Sequence, residues 1–395
     1  MNAPLLATDL TLFTSLRVLA IYACNSCRTA VDGKATLQPN KATESFSLET
    51  TNSLNVISKH SQFTEVLMPT PPERDSSVIS HIELVTSPDR RTGRKLSVLK
   101  PMATKVFAEK HNIPIHHTPS TGRTLTGWNP PTPFDLGVVV SFGYFVTTNI
   151  LKTLPLGAVN VHPSLLPAYR GASPLQYTIM NRDKVGGITV QELDEKAFDA
   201  GRILAQEEID LSTEPPKSYN DLRDRLSSIG VRLLVETIRD LENRKKNATV
   251  QDMTKVTKAP KIKKELAQVD FEGMEAVDIE AIFRAIGHQN PLLTTFAVPP
   301  EKGRENTKAR RINLQLHDLY LPEQSILTTR SSKKAQPGTI AYDAQSQSIH
   351  AMCKNGTVIG IKRLKAENKA ERNAEDFCNG YGLQKDRTGL FEQII

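Results

Sequence analysis

Residues 136–192 contain LGVVVS (Leu136–Ser141), AVNVH (Ala158–His162), PLQYTIMN (Pro174–Asn181) and GITVQE (Gly187–Glu192). The first run is apolar throughout and bounded by Asp135 and Gly143, the pattern of a strand buried on both faces. Thr148–Leu154 and Pro174–Asn181 space their apolar residues as helices, between strands at Ala158–His162 and Gly187–Glu192. Upstream, LRVLAIYA (Leu16–Ala23), IELV (Ile82–Val85) and Ile113–His116 read as further strands, with a helix over Met102–His111. Strands alternating with helices predict an α/β domain whose mostly parallel sheet is covered on both sides. A long amphipathic helix over Tyr219–Arg244, carrying Leu222, Leu226, Ile229, Leu234 and Ile238, closes it.

The texture then changes. Lys255–Lys264 is Lys-rich, lacks apolar periodicity and reads as a linker. After a helix at Ala276–Gly287 come INLQLHDLYL, GTIAYD, SIHAMC and TVIGIKRL, short runs separated by polar or glycine-containing turns. Such spacing predicts a small antiparallel barrel. The expected organisation is a divergent N-terminal part (1–80), a catalytic α/β domain (81–245), a linker (246–266) and a C-terminal barrel domain (267–395).

The 395 residues carry 50 Lys and Arg against 43 Asp and Glu, a net charge of +7. From Glu301 onward there are 16 basic and 11 acidic side chains, so most of the excess lies in the last quarter. A basic C-terminal module suits a polyanionic partner. No stretch approaches the roughly 18 apolar residues of a membrane span, so no membrane partner is expected. Four cysteines in this length make no disulfide framework, which points to a reducing compartment. Cys24 and Cys27 have the spacing of half a zinc site without a second pair, and no metal is expected. Asp9, Asp32, Glu44 and Glu49 balance the early basic residues, unlike a transit peptide.

Asn160 and His162 stand two apart at the end of a strand, so both point to one face at the carboxyl end, where open parallel sheets bind ligands. An isolated Asn-x-His is more often a structural pair. Taken alone, Asp199 before Ala200-Gly201 is a turn residue, and Pro88–Lys95 is a solvated basic loop. His116, His117, His288 and His350 suggest no function.

The whole string says more. Asn160-Val161-His162-Pro163-Ser164-Leu165-Leu166-Pro167 with Arg170-Gly171, then Gly187-Ile188-Thr189-Val190 and Asp199-Ala200-Gly201, resembles the formyltransferase family that uses 10-formyltetrahydrofolate. The resemblance implies a Rossmann-like formyltransferase domain followed by an OB-like β-barrel, with Asn160, His162 and Asp199 catalytic. Ser141, Phe142, Gly143 and Val146 are similar to the family's folate-cleft segment, and Ser164, Leu165, Leu166 and Pro167 are assigned to the cofactor with them. Thr86-Ser87-Pro88-Asp89-Arg90-Arg91-Thr92-Gly93-Arg94 looks like the basic loop of methionyl-tRNA formyltransferases. Ala259-Pro260-Lys261-Ile262, Phe283-Arg284-Ala285-Ile286 and Phe377-Cys378-Asn379-Gly380 are similar to their linker and C-terminal domain.

The likeness covers most of the chain from about residue 80 and is nearer to the mitochondrial, fungal-type members. It implies initiator methionyl-tRNA as partner, a monomer, and the mitochondrial matrix. Arg90, Arg91, Arg94, Lys95 and Arg170, with Lys362, Arg363 and Lys365 of the barrel, are the implied tRNA-binding cations. The sequence departs from the family at LRVLAIYACNSC, which lacks the glycine turn expected after the first strand. The region before about residue 80 is accordingly expected to be the least well packed of the sheet domain.

The chemistry suits the residues. An amine that attacks a formyl carbon loses a proton and leaves charge on oxygen. Asn160 and a protonated His162 can donate to that oxygen, and a carboxylate at Asp199 can hold the imidazolium and, through water, help remove the amine proton. Two rivals remain. One is formylation of a small amine such as an amino sugar or glycinamide ribonucleotide, against which the basic loop, Arg170-Gly171 and the C-terminal domain speak. The other is a non-catalytic RNA-binding relative, against which the intact Asn160, His162 and Asp199 speak.

Overall fold

The computed structural model describes residues 16–22, 78–92, 94–119, 124–298, 310–329, 335–383 and 387–394. The expectation of loose packing falls largely on residues 23–77, as do Cys24 and Cys27, outside the described residues. The chain divides into two compact units, one within residues 1–174, 185–210 and 222–260, the other within 175–184, 211–221 and 261–395.

The first unit contains β1 (Leu16–Tyr22), β2 (Ile79–Thr86), β3 (Arg90–Thr92), β4 (Val98–Lys100), β5 (Ile115–His117), β6 (Leu136–Val140), β7 (Ala158–His162), β8 (Val185–Glu192) and β9 (Ile203–Asp210). Seven of them form a sheet in the order β5-β2-β1-β6-β7-β8-β9, while β3 and β4 pair as a separate hairpin. The sheet is parallel from β5 to β7 and antiparallel at β7–β8 and β8–β9. β1 lies centrally, and Leu19 and Ile21 on one face pack with Val85, Val139, Val146 and Ile150. Ala20 on the other face packs with Leu84 and with Ala108 of the helix Ala103–Lys110. The apolar runs within 16–21 and 136–140 are therefore buried on both sides, as their lack of alternation required.

Several features differ from the sequence expectation, among them the closing helix and an edge strand of the sheet. The helix predicted over Tyr219–Arg244 is two helices, Tyr219–Arg239 and Leu241–Lys246, because Asp240 leaves helical geometry at φ −121°, ψ 32°. β9 was not foreseen: it is a sheet-edge strand that carries Gln206, Glu207, Glu208 and Asp210, so no apolar run marks it.

In the second unit β10 (Leu292–Val298), β11 (Arg310–Tyr320), β12 (Thr339–Asp343), β13 (Ser348–Met352), β14 (Val358–Ala366), β15 (Glu371–Asn373) and β16 (Gly389–Glu392) form one antiparallel sheet. Pairing of β11 with β14 closes a six-stranded barrel. Fully buried Phe296 meets the rings of Phe377, Tyr381 and Phe391. Phe377 and Tyr381 come from the helix Ala374–Tyr381, which ends at Gly382 with φ 65°, a left-handed stop that suits glycine.

His350 is buried on β13, with Nδ1 3.0 Å from Ser325 Oγ and Nε2 3.3 Å from Ser346 Oγ. Burial lowers its pKa from the ordinary imidazole value, and nearby Asp343 opposes that only in part.

Two outcomes are expected. Leu19→Ala should cost about 2 to 5 kcal/mol of unfolding free energy in urea titrations, since it opens a cavity in the centre of the sheet. His350 binds a proton less readily folded than unfolded, so stability falls as pH drops below the ordinary imidazole pKa of 6.5. His317 is shifted in the same direction and adds to the effect. In His350→Asn the urea midpoint should therefore fall less between pH 7.5 and pH 5.5 (values on the order of one unit either side of the imidazole pKa) than in the parent.

Candidate active site

Asn160 and His162 leave β7 on the same face and meet one carboxylate. Asn160 Nδ2 donates to Asp199 Oδ1 at 3.3 Å, and His162 Nδ1 lies 3.4 Å from the same oxygen. The Gly171 amide donates to Asp199 Oδ2 at 2.9 Å. Three stretches singled out from the sequence, at 160–162, 170–171 and 199–201, thus converge.

The local backbone explains the residue types. Asp199 sits at φ 55°, in the left-handed region that only a few residue types enter readily. A Cβ on Gly201 would stand 1.7 Å from the carbonyl oxygen of Glu192, so only glycine lets this turn press against β8. Gly171, at φ 128°, lies so near Ala259 that a Cβ would come within 2.6 Å of its oxygen.

His162 Nε2 is 3.0 Å from the Tyr169 carbonyl. A carbonyl can only accept, so Nε2 carries hydrogen. Buried His162 stands behind Asp199, while Asn160 and Asp199 themselves line an open cleft of about 460 Å³, solvent at the mouth included. Phe142, Tyr144, Phe145, Val146 and Phe198 supply its apolar wall, and Gln191 and Asp194 add polar groups. Phe145 and Phe198 meet edge to face at 5.2 Å.

Of the other predicted residues, Phe142 and Val146 line the cleft; Ser141, at φ 48°, and Gly143 are exposed in the turn after β6. Ser164, Leu165, Leu166 and Pro167 lie outside the lining. Ser164 Oγ donates to Ala168 O at 2.7 Å, Leu166 N donates to Thr189 Oγ1 at 3.2 Å, and Leu165 packs where a Cβ on Gly187 would fall. Arg170 gives Nε–H and Nη–H to Gln251 Oε1 at 3.0 and 2.7 Å. Arg90 and Arg91 lie on β3, and Arg94 and Lys95 in the turn to β4, where Arg91 and Lys95 are exposed beside exposed Leu96, Val98 and Leu99.

On β14, Lys362 lies 5.2 Å over the Tyr320 ring and Lys365 is exposed. Arg363 is shared between Asp318 and Glu371. Among the described residues no group of three or more His, Cys, Asp or Glu could hold a metal ion, and no helix is long and apolar enough to cross a membrane.

Sequence reasoning missed Gln191 and Gln251. Gln191 Nε2 reaches Asp199 Oδ1 at 3.3 Å, and Gln251 Nε2 reaches Gln191 Oε1 at 3.1 Å. Phe145 and Phe198 were missed too, although an aromatic next to Asp199 was a readable signal.

Residues 51–238 match the formyl transferase family model, and residues 261–382 match the formyl transferase C-terminal domain. The human mitochondrial methionyl-tRNA formyltransferase is 30% identical over 311 residues, 78% of this chain and 71% of that protein. The methionyl-tRNA formyltransferase of Caldicellulosiruptor saccharolyticus is 33% identical over 308 residues, 76% of this chain and 89% of that protein. Among solved structures, the sugar 3N-formyl transferase WlaRD aligns at TM-score 0.49 and 14% identity, over 90% of this chain and 99% of its own. HypX from Aquifex aeolicus, in complex with tetrahydrofolic acid, aligns at TM-score 0.48 and 13% identity, and this chain spans about half (47%) of its length. With both domains matched and these relatives covered across most of their length, the chain belongs to the formyltransferase family, among members named methionyl-tRNA formyltransferase.

Proposed function

We infer that this chain transfers the formyl group of 10-formyltetrahydrofolate to the amino group of initiator methionyl-tRNA, for translation initiation. The observation that carries the reading is the placement of Asn160 and Asp199 together in the wall of an aromatic cleft, with His162 held against Asp199. The flat, apolar wall of Phe142, Tyr144, Phe145, Val146 and Phe198 fits a fused heteroaromatic ring. Polar Asp194 beside it can meet that ring's edge. The co-substrate supplies an activated formyl carbon. Asn160 Nδ2 turns its hydrogen bond from Asp199 to the oxygen on which charge builds. The proton that the attacking amine gives up passes through water to Asp199, which shares it with His162 Nδ1, and returns to the folate nitrogen as the bond between that nitrogen and the formyl carbon breaks.

In this reading the sheet unit, with β1 and residues 246–260 included, carries the catalysis, and the barrel within 267–395 grips the tRNA through phosphates. The exposed hairpin with Arg90, Arg91, Arg94 and Lys95 selects the acceptor end. A chain that carries both parts works as a monomer. Mammalian relatives carry "mitochondrial" in their names, which supports the matrix as location. The C-terminal domain and the basic hairpin favour this substrate over a small amine.

Asp199→Asn and Asn160→Ala should each lower kcat for methionyl-tRNA by on the order of 10²-fold or more. Affinity for the tRNA should stay within about threefold, because neither residue grips it. Near-parental turnover in either variant would remove it from the catalytic set.

The cations of β14 should separate by their partners. Lys365→Ala should lower the slope of log affinity against log salt by about one unit for each phosphate left without its cation. Arg363 is already paired with Asp318 and Glu371, so Arg363→Ala should weaken binding less than Lys365→Ala. Equal losses in filter-binding titrations would show that the acidic partners do not matter. Arg91→Ala should instead change the preference between initiator and elongator methionyl-tRNA with less effect on slope.

A further inference from the structure

Arg170, Gln251, Gln191 and Asp199 form a line of side-chain hydrogen bonds whose direction is fixed at one end. A guanidinium can only donate, and Arg170 donates twice to one atom of the Gln251 amide. That atom is therefore the oxygen. Gln251 Nε2 then faces three acceptors: Gly201 O at 2.7 Å, Asp199 O at 3.0 Å and Gln191 Oε1 at 3.1 Å. With its oxygen so engaged, Gln191 turns Nε2 onto Asp199 Oδ1. Gln251 is 5% exposed and Gln191 2%, so water does not compete for these bonds.

We propose that Gln251 is a positioning residue for formyl transfer. Anchored by Arg170, it ties down the Asp199–Gly201 turn through two backbone carbonyls and sets the amide of Gln191 so that the carboxylate keeps its aim at Asn160 and His162. This rests on the function proposed above. Asp199 occupies a backbone region that costs energy to hold, and the bonds from Gln251 supply the restraint. Arg170 thereby acts on the carboxylate as well as on any phosphate it meets.

The full chain tests this with Gln251→Met, which keeps the length and removes every hydrogen bond, and Gln251→Glu, which still accepts from Arg170 but cannot donate. Both should lose on the order of 10²-fold in kcat, the scale of a misplaced catalytic group. KM for both substrates should stay within about threefold. Gln191→Met added to Gln251→Met should cost little more than the worse single change, because the two amides act in series. In a chain labelled with ¹⁵N-histidine, the His162 resonances, assigned by His162→Gln, should move in the folded Gln251 variants. Additive losses, a loss confined to KM, an unmoved His162, or two variants that do not fold would each overturn the proposal. Should the parent fail to formylate methionyl-tRNA, the proposed function falls, while the His162 resonances still decide whether Gln251 sets the site.

Discussion

Asp199 accepts hydrogen bonds from Asn160 on β7, Gln191 on β8 and the backbone of Gly171, and faces His162 across 3.4 Å. These groups come from separate stretches of chain, and the carboxylate is their common partner. Its place depends on a left-handed turn and on Gly201, where no side chain fits. A largely buried carboxylate is stable only if its lone pairs are met. Each donor is therefore also a restraint on backbone that would otherwise relax from a costly conformation.

The same carboxylate explains what could be read from the sequence. Asn160, His162, Gly171, Asp199 and Gly201 sit in short strings in which neighbouring residues serve one local geometry, and a string is legible. Gln191 and Gln251 are not. Each is a single glutamine whose role comes from remote contacts, 8 and 60 residues away for Gln191 and 50 to 81 away for Gln251, and nothing at its own position in the sequence marks it. Phe198 was half legible: an aromatic before a turn can as easily be core, and only its place opposite Phe145 puts it in the cleft.

Strands followed the same division. The doubly buried β6 shows as an unbroken apolar run and β1 as one interrupted only by Arg17, whereas β9 and the three-residue β15 carry polar side chains along an edge. Net charge was legible as a sum and misleading as a map. The last quarter of the chain is basic in composition, yet Arg363 is paired with Asp318 and Glu371, while Lys365 stands exposed. A paired guanidinium offers a phosphate less than its formal charge suggests, because binding must first break bonds of similar strength.

The reversal at β8 shows why a fully parallel sheet would not have served. In the antiparallel pair, Asn160 on β7 lies directly opposite Gln191 on β8, and opposite residues present their side chains to the same face. Both amides then reach Asp199 Oδ1 from adjacent strands. The chain leaves β8 at Glu192, beside that pair, and the next few residues bring Asp199 back over it before β9 begins at Ile203. Gly201 lies against Glu192 at the mouth of this β8–β9 connection, so the connection can close only where the carboxylate is delivered. The change of strand direction, which the pattern of apolar residues does not reveal, is thus what turns a ligand-binding sheet edge into a site with its carboxylate in reach of Asn160.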